Sequence, residues 1–181
     1  MNEKDIAEGC LKGNNNARKQ LYTEYSGKLL AIGIRYLSNR ETAEDVLHDV
    51  FIHIFNSFDK FKYRGTGSLF AWLSKIMVNA SLEHLRKNNR VELTEFNLTD
   101  NDIADDEGML DEIPQKELFK MVTELPDGYR TVFNLYVFED KSHKEIADLL
   151  GINEKSSSSQ FFHAKKLLKK KINDYLQKGD E

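Results

Sequence analysis

A block of acidic residues divides the chain and limits the folds that it can adopt. Residues 91–113 contain nine Asp or Glu side chains and no Lys or Arg. Like charges at this density repel one another, so such a segment usually stays solvated instead of joining a core. We therefore predict a flexible acidic linker at 91–113 between two domains, at 1–90 and 114–178. An acidic surface loop within a single domain is the alternative.

The formal net charge of −4 conceals this separation of charge. Residues 1–90 hold 14 basic and 10 acidic side chains, a net charge of +4, and residues 114–181 hold 12 and 11, a net charge of +1. The 181 residues exclude a large multi-domain enzyme but allow two small domains. The single Cys excludes an internal disulfide.

The sequence also bears on the compartment in which the protein works. No apolar run approaches the roughly 20 residues that a membrane span requires. The first ten residues are charged and lack the apolar centre of a signal peptide. We expect a cytoplasmic protein that does not insert into a membrane.

Apolar residues recur at helical spacing in both predicted domains. In the first domain, rows that begin at Leu21, Leu47 and Leu69 predict three helices, and a short helix over about residues 3–11 precedes them. No stretch alternates for long enough to form a strand. The sequence predicts an all-α protein with two small helical domains, a four-helix unit and a helix-turn-helix unit.

Four residues of the first domain carry further expectations. Gly27 and Gly33 lie within the second helix, and we expect both to permit close contact between helices. Ser68 follows the glycine-containing loop Lys62–Gly67 and is expected to cap the next helix. Trp72 lies on the apolar face of that helix and is expected to join the core.

Residues 142–170 have the pattern of a helix-turn-helix. Ser142 and Glu145 predict a capping box, Gly151 can adopt the left-handed conformation of a tight turn, and Asn153 can cap the following helix. The second helix of such a unit enters the major groove of DNA with its first turns at the base edges. A helical hairpin with a solvated, lysine-rich face is the alternative.

The candidate base-reading residues occupy the start of the second helix of this unit. They are Lys155, Ser156, Ser158, Ser159, Gln160 and His163. Glutamine can pair bidentately with adenine, whereas serine discriminates weakly among bases. The lysines further along the helix are expected to contact phosphate or to steer the approach to DNA. They are Lys165, Lys166, Lys169 and Lys170. Ser157 stands where an aliphatic residue is usual, and we expect Phe161 to supply the missing packing.

The sequence contains no recognisable catalytic or metal-binding pattern. A glycine-rich phosphate loop, an H-E-x-x-H motif and a Ser/His/Asp constellation are all missing. His48 and His53 are five positions apart, so they do not share one helix face as zinc ligands would. Asp100 begins a pattern like that of a calcium loop, which fails at Ala104. We expect no enzymatic activity, no cofactor and no metal.

Short motifs occur in a fixed order on both sides of the acidic block. They are Arg35–Leu37, Ala43–Phe51, Trp72–Leu73, Leu85–Lys87, Leu125–Pro126, Glu145–Ala147 and Leu150–Ile152. In order and spacing they resemble bacterial RNA polymerase sigma factors of the extracytoplasmic function (ECF) group, within the sigma-70 family. The resemblance covers nearly the whole chain. It implies that 1–90 is sigma region 2 and that 114–178 is sigma region 4.

The resemblance implies partners as well as a fold. A protein of this kind binds core RNA polymerase through the β′ clamp and the β flap, reads the −35 and −10 elements of promoter DNA and opens the −10 duplex. It is often held inactive by an anti-sigma factor. Asp45, His48 and Asp49 would face the clamp, and His48 stands where the family usually has Gln.

The resemblance further implies that the Lys62–Gly67 loop captures a flipped base of the −10 element. Tyr63 could stack on the base and Asn79 could bond its edge, as base capture requires. Arg64, Arg86 and Lys87 could follow the phosphates of the strand. The acidic block would occupy a basic channel of the polymerase until RNA arrives. A stand-alone helix-turn-helix transcriptional regulator is the alternative function.

Overall fold

The computed structural model describes residues 1–88 and 113–179, with side chains to residue 177. Two compact units are separated after Asn88, one comprising Met1–Asn88 and the other lying within Asn89–Glu181. The predicted linker at 91–113 lies outside the described residues, except for Ile113. All regular elements of the described residues are helices, which confirms the predicted all-α fold.

Four α-helices form the first unit. They are α1 (Glu3–Leu11), α2 (Asn15–Leu37), α3 (Arg40–Asn56) and α4 (Ser68–Lys87), with a single 3₁₀ turn at Phe58–Lys60. The long α2 packs against each of the other three helices. Its apolar row is buried as predicted, because Leu21, Tyr25 and Leu29 are at most 3 % exposed. The helical spacing of these side chains therefore directs one stripe of α2 into the core.

Asparagine side chains fix the starts of the first three helices. Asn14 Oδ1 accepts a hydrogen bond from the backbone N–H of Asn16 at 2.8 Å, and Asn39 Oδ1 accepts one from Thr42 at 2.8 Å. Asn2 forms a reciprocal capping box with Asp5. Each cap satisfies a backbone donor that the helix itself leaves without a partner.

The predictions for Trp72 and Ser68 differ in how well they agree with the structure. Trp72 packs against Phe58 and Phe61 with ring centroids 5.3 and 5.2 Å away, but it is only partly buried, so it lies at the edge of the core and not within it as predicted. The expectation for Ser68 is wrong, since Gly67 is the N-cap of α4 and supplies no side chain. The Ser68 hydroxyl instead donates to the carbonyl of Gly65 at 2.6 Å, inside the preceding loop.

The two glycines of α2 also differ from each other. A Cβ on Gly33 would collide with the methyl group of Met77 and lie 3.3 Å from the Cβ of Ala43, so this glycine permits the close contact that was predicted. Gly27 is exposed, and a Cβ there would meet nothing within 4 Å. The prediction of close contact is therefore wrong for Gly27.

The described residues of the second unit form four further helices. They are α5 (Gln115–Thr123), α6 (Asp127–Val137), α7 (His143–Leu150) and α8 (Glu154–Gly179). Arg130 is buried, and its guanidinium donates to the carbonyl of Leu125 at 2.5 Å and to the carboxylate of Asp127. The side chain thus satisfies a carbonyl just beyond the end of α5 and ties α5 to α6, a role that charged donors perform well.

Alanine substitutions at the two glycines test the packing of the first unit. Gly33→Ala should destabilise this unit relative to Gly27→Ala by about 1–3 kcal/mol, the usual cost of forcing a methyl group into a packed core. Gly27→Ala should itself stabilise the protein by about 0.5–1 kcal/mol through helix propensity alone. Urea unfolding followed by the fluorescence of Trp72 measures both. Equal stability of the two variants would contradict the packing described for Gly33.

Candidate nucleic-acid interface

The helices α7 and α8 form a tight helix-turn-helix with the predicted local chemistry. Ser142 and Glu145 make the reciprocal capping box at the start of α7, and Gly151 ends that helix with a φ of 70°. Asn153 Oδ1 accepts a hydrogen bond from the backbone N–H of Ser156 at 2.7 Å, which caps α8. Ala147 is buried where α7 meets its neighbours. The turn and both helix starts are therefore fixed by side chains close to them in sequence.

Some of the candidate base-reading residues on α8 are accessible. Lys155 and Ser158 are exposed, and Ser156 and His163 are partly exposed. Lys166 is exposed further along the helix. The structure thus leaves one side of α8 open to a ligand over its first three turns.

Ser159 and Gln160 are buried, with 8 % and 4 % of their surface exposed, and this contradicts their predicted place at the base edges. Gln160 follows Ser157 by three positions and so flanks the face that α8 turns toward the domain interior. The short side chain of Ser159 is likewise covered within the domain. Neither side chain is presented to a groove.

A hydrogen bond links the two helices of the motif at the position where the sequence departs from the usual pattern. The hydroxyl of Ser157 is 2.9 Å from Nδ1 of His143, and the serine is fully buried. The rings of Tyr136 and Phe161 lie 4.7 and 5.7 Å from the imidazole. Phe161 does supply packing, as predicted, but the unexpected partner is His143, which is fourteen residues away in sequence.

Burial lowers the pKa of His143, and the charge of Glu154 opposes this effect in part. The folded state therefore favours the neutral imidazole. As the pH falls through the ordinary histidine range, the unfolded chain takes up a proton first, so this unit loses stability. At pH values above that range, His143 is neutral in both states and the unit keeps its full stability.

The pH dependence of unfolding tests this contact. The stability of the second unit should fall as the pH is lowered below about 6.5, and His143→Gln should flatten that part of the profile. Urea unfolding followed by far-ultraviolet circular dichroism gives the stability, while NMR titration of His143 gives its pKa. Because Trp72 reports the first unit alone, its fluorescence serves as an internal control. A normal or raised pKa for His143 would contradict the account.

The lysines of α8 differ in their surroundings. Lys171 lies 2.7 Å from a carboxylate oxygen of Glu124, and Lys165 lies over the ring of Phe161 at 5.2 Å. Lys166 makes no ion pair with any residue that the structure describes. A phosphate would meet an uncompensated charge at Lys166 but a compensated one at Lys171.

In the first unit, the predicted base-capturing loop exposes its aromatic side chain. Tyr63 is 38 % exposed, and Arg64 is exposed beside it. Gly65 and Gly67 have φ values of 120° and 90°, which other residues rarely adopt. The Ser68 hydroxyl accepts from the backbone N–H of Arg64 at 3.2 Å, so the loop folds back on the start of α4.

A cleft of about 380 Å³ between α3 and α4 brings together residues from two of the predicted sites. The cleft is lined by Asp49, which was predicted to face the polymerase. It is also lined by Asn79 and Lys87, which were predicted to contact DNA. Lys87 is also paired with Glu83 at 2.8 Å. Tyr63 is not among the residues that line this cleft. The remaining candidates Asp45, His48 and Arg86 are all exposed.

Sequence reasoning missed the residue that anchors the C-terminal end of the Lys62–Gly67 loop. Both carboxylate oxygens of Glu3 accept backbone hydrogen bonds at the start of α4, from Gly67 at 2.7 Å and from Leu69 at 2.8 Å. In the sequence Glu3 is an ordinary acidic residue in the first turn of a helix. No local pattern distinguishes it, because its partners lie more than sixty residues away.

Family comparisons agree with the division into two units. The family model for Sigma-70 region 2 matches residues 21–91, and that for Sigma-70, region 4 matches residues 115–168. The chain belongs to the sigma-70 family. Its curated relatives, which include ECF RNA polymerase sigma factors, place it in the ECF group. Since a region 2 match occupies the first unit, the alternative of a stand-alone helix-turn-helix regulator is set aside. As an ECF sigma factor, the protein acts in transcription initiation together with RNA polymerase and promoter DNA.

Curated relatives match over most of their length. The RNA polymerase sigma-H factor of Pseudomonas aeruginosa is 24 % identical over 98 % of this chain and 97 % of its own. The ECF RNA polymerase sigma-E factor of Haemophilus influenzae is 24 % identical over 95 % and 96 %. Among solved structures, the sigma factor RpoE in complex with the anti-sigma factor NepR, from Bartonella quintana, has 22 % identity and a TM-score of 0.49 over 86 % of this chain and 96 % of its own.

No described helix of this sigma factor has the length and apolar character needed to cross a bilayer. Within the described residues, no group of three or more His, Cys, Asp or Glu side chains is arranged to hold a metal ion.

Proposed function

We propose that the two units of this ECF sigma factor divide promoter recognition between them. Residues 1–90 would dock on the β′ clamp and open the −10 duplex, and residues 114–178 would read the −35 element and rest on the β flap. The observation that carries the proposal is that one chain has both an exposed aromatic loop, in the first unit, and a capped helix-turn-helix, in the second unit. The protein would work in the cytoplasm, beside its polymerase, and have no catalytic activity of its own.

Base capture is assigned to the Lys62–Gly67 loop. Opening a duplex requires a surface that holds a base once it leaves the stack, and an aromatic ring with a free face provides one. Tyr63 is exposed on this loop, and Arg64 is next to it. Asn79, Arg86 and Lys87 would contact the base edge and the phosphates of the same strand from α4.

The contact with the clamp is assigned to α3. His48 and Asp49 follow Asp45 by three and four positions, so both are neighbours of Asp45 on the helix surface, and all three are exposed. A strip with two carboxylates suits a partner surface that carries basic side chains. His48 replaces the usual Gln of the family, and an imidazole can still donate or accept one hydrogen bond there.

Reading of the −35 element is assigned to the exposed side of α8. Lys155, Ser156 and Ser158 lie at the start of the helix, where base edges are met, and His163 is partly exposed one to two turns later. Lys166 would contact phosphate. Because Ser159 and Gln160 are buried, we assign them to the packing of α8 and not to base contacts.

An anti-sigma factor is a further proposed partner. The clamp-facing strip on α3 and the Tyr63 loop are both exposed in the isolated chain. A protein that covered either surface would prevent the sigma factor from joining the polymerase or from opening DNA.

Run-off transcription tests the proposed function. The purified chain is added to core RNA polymerase from the same source on genomic fragments, and the transcript starts are mapped. We expect discrete start sites that depend on the chain, together with co-purification of the chain with core enzyme. Absence of both would refute the proposal.

Replacement of Tyr63 tests base capture. Tyr63→Ala should slow promoter opening about tenfold, the effect of losing one base–aromatic stack, and leave core binding unchanged. Tyr63→Phe is the matched control, because it keeps the ring and should open promoters nearly as fast as wild type. A fluorescent base in the −10 element reports opening. Equal loss of core binding by Tyr63→Ala would contradict this assignment.

The salt dependence of promoter binding tests the role of Lys166. Lys166→Gln should reduce the slope of log affinity against log salt by about 0.9, the value for one lost phosphate contact. Lys171→Gln should leave the slope unchanged, because Lys171 is already paired with Glu124. Both are measured with holoenzyme on fragments that contain the −35 element. The same slope change in both variants would contradict the assignment.

A further inference from the structure

The helix α4, which follows the Tyr63 loop, has no cap of its own. Its N-cap position is Gly67, which has no side chain and a φ of 90°. The first backbone N–H groups of any helix need an acceptor from outside that helix. In this structure, the acceptor for the N–H groups of Gly67 and Leu69 comes from another helix.

Glu3 provides both acceptor atoms. Its Oε2 accepts from the N–H of Gly67 at 2.7 Å, and its Oε1 accepts from the N–H of Leu69 at 2.8 Å. Hydrogen bonds to an ionised carboxylate are stronger than those between neutral groups, and the negative charge is favourable at a helix N-terminus. One side chain therefore fixes two backbone positions that follow the loop.

Glu3 is itself held in place by the core. It belongs to α1, which packs against α2 and buries Ile6, Ala7 and Cys10. On the other side of the contact, the Ser68 hydroxyl bonds the backbone of Arg64 and Gly65. The C-terminal end of the loop is thus connected to the core through Glu3. Tyr63 lies just before the hydrogen-bonded segment, which begins at Arg64.

We propose that Glu3 is a positioning residue for base capture and that α1 braces the loop that carries Tyr63. The inference rests on the function proposed above. Gly65 and Gly67 give the loop many accessible conformations once the contact is lost, because glycine restricts the backbone least. The loop would then lose conformational entropy during base capture, and this cost would slow promoter opening. Glu3 would not touch DNA or core polymerase.

The test compares Glu3→Ala with two controls on the same helix. Glu8→Ala removes an exposed carboxylate that is 3.8 Å from Lys4, and Ile6→Val weakens the packing of α1 without altering Glu3. Hydrogen exchange at the amides of Gly67 and Leu69 is measured in the free chain. Core affinity and the rate of opening, reported by a fluorescent base in the −10 element, are measured for the holoenzyme well below the unfolding temperature.

Glu3→Ala should speed exchange at both amides and slow opening about tenfold, as expected from the loss of a charge-assisted hydrogen bond, with core affinity unchanged. Glu3→Gln retains one acceptor atom and should give an intermediate result. Glu8→Ala should behave as wild type, and Ile6→Val should lower the unfolding temperature without slowing opening.

Two results would overturn the inference. One is opening by Glu3→Ala at the wild-type rate. The other is equal slowing by Ile6→Val, which would assign to Glu3 a role in stability alone. Failure of the wild-type holoenzyme to open the promoter would instead refute the proposed function, so the two failures are distinguishable.

Discussion

Acceptors for the backbone N–H groups at helix starts determine where the functional segments of this protein lie. Ser142 and Asn153 cap the starts of the two helices of the helix-turn-helix, and Gly151 together with Asn153 forms the turn between them. Glu3 performs the same task for α4 across more than sixty residues of sequence. At Asn153 and at Glu3, a segment proposed to contact DNA is adjacent to the capped helix start. Since an unsatisfied donor is costly, these caps limit the conformations that such segments can adopt.

The distribution of charge explains why such a protein would depend on its polymerase. The two outer segments have net charges of +4 and +1, and the acidic block between them brings the total to −4. On α8 some of the positive charge is already neutralised within the protein, as the pair of Lys171 and Glu124 demonstrates. With little net attraction to DNA, the free chain should gain most of its promoter affinity from the assembled holoenzyme.

Sequence reasoning succeeded where the signal was local and failed where distant residues meet. The all-α fold, the capping box at Ser142 and the left-handed Gly151 follow from spacing and from the chemistry of individual residues. The burial of Gln160 was missed because it depends on the rotation of α8 against its neighbours. The contacts of Glu3 and of Ser157 join residues that are far apart in sequence, and no short-range pattern reveals them.

Permanganate footprinting on one promoter tests the central claim most directly, because it detects unpaired thymines within the −10 element. The promoter is incubated with core polymerase alone, with the sigma factor alone and with both together. The account predicts reactive thymines only when both are present, and no stable binding of duplex DNA by the sigma factor alone. Tight, specific binding by the chain without core enzyme, or no opening with it, would contradict the account.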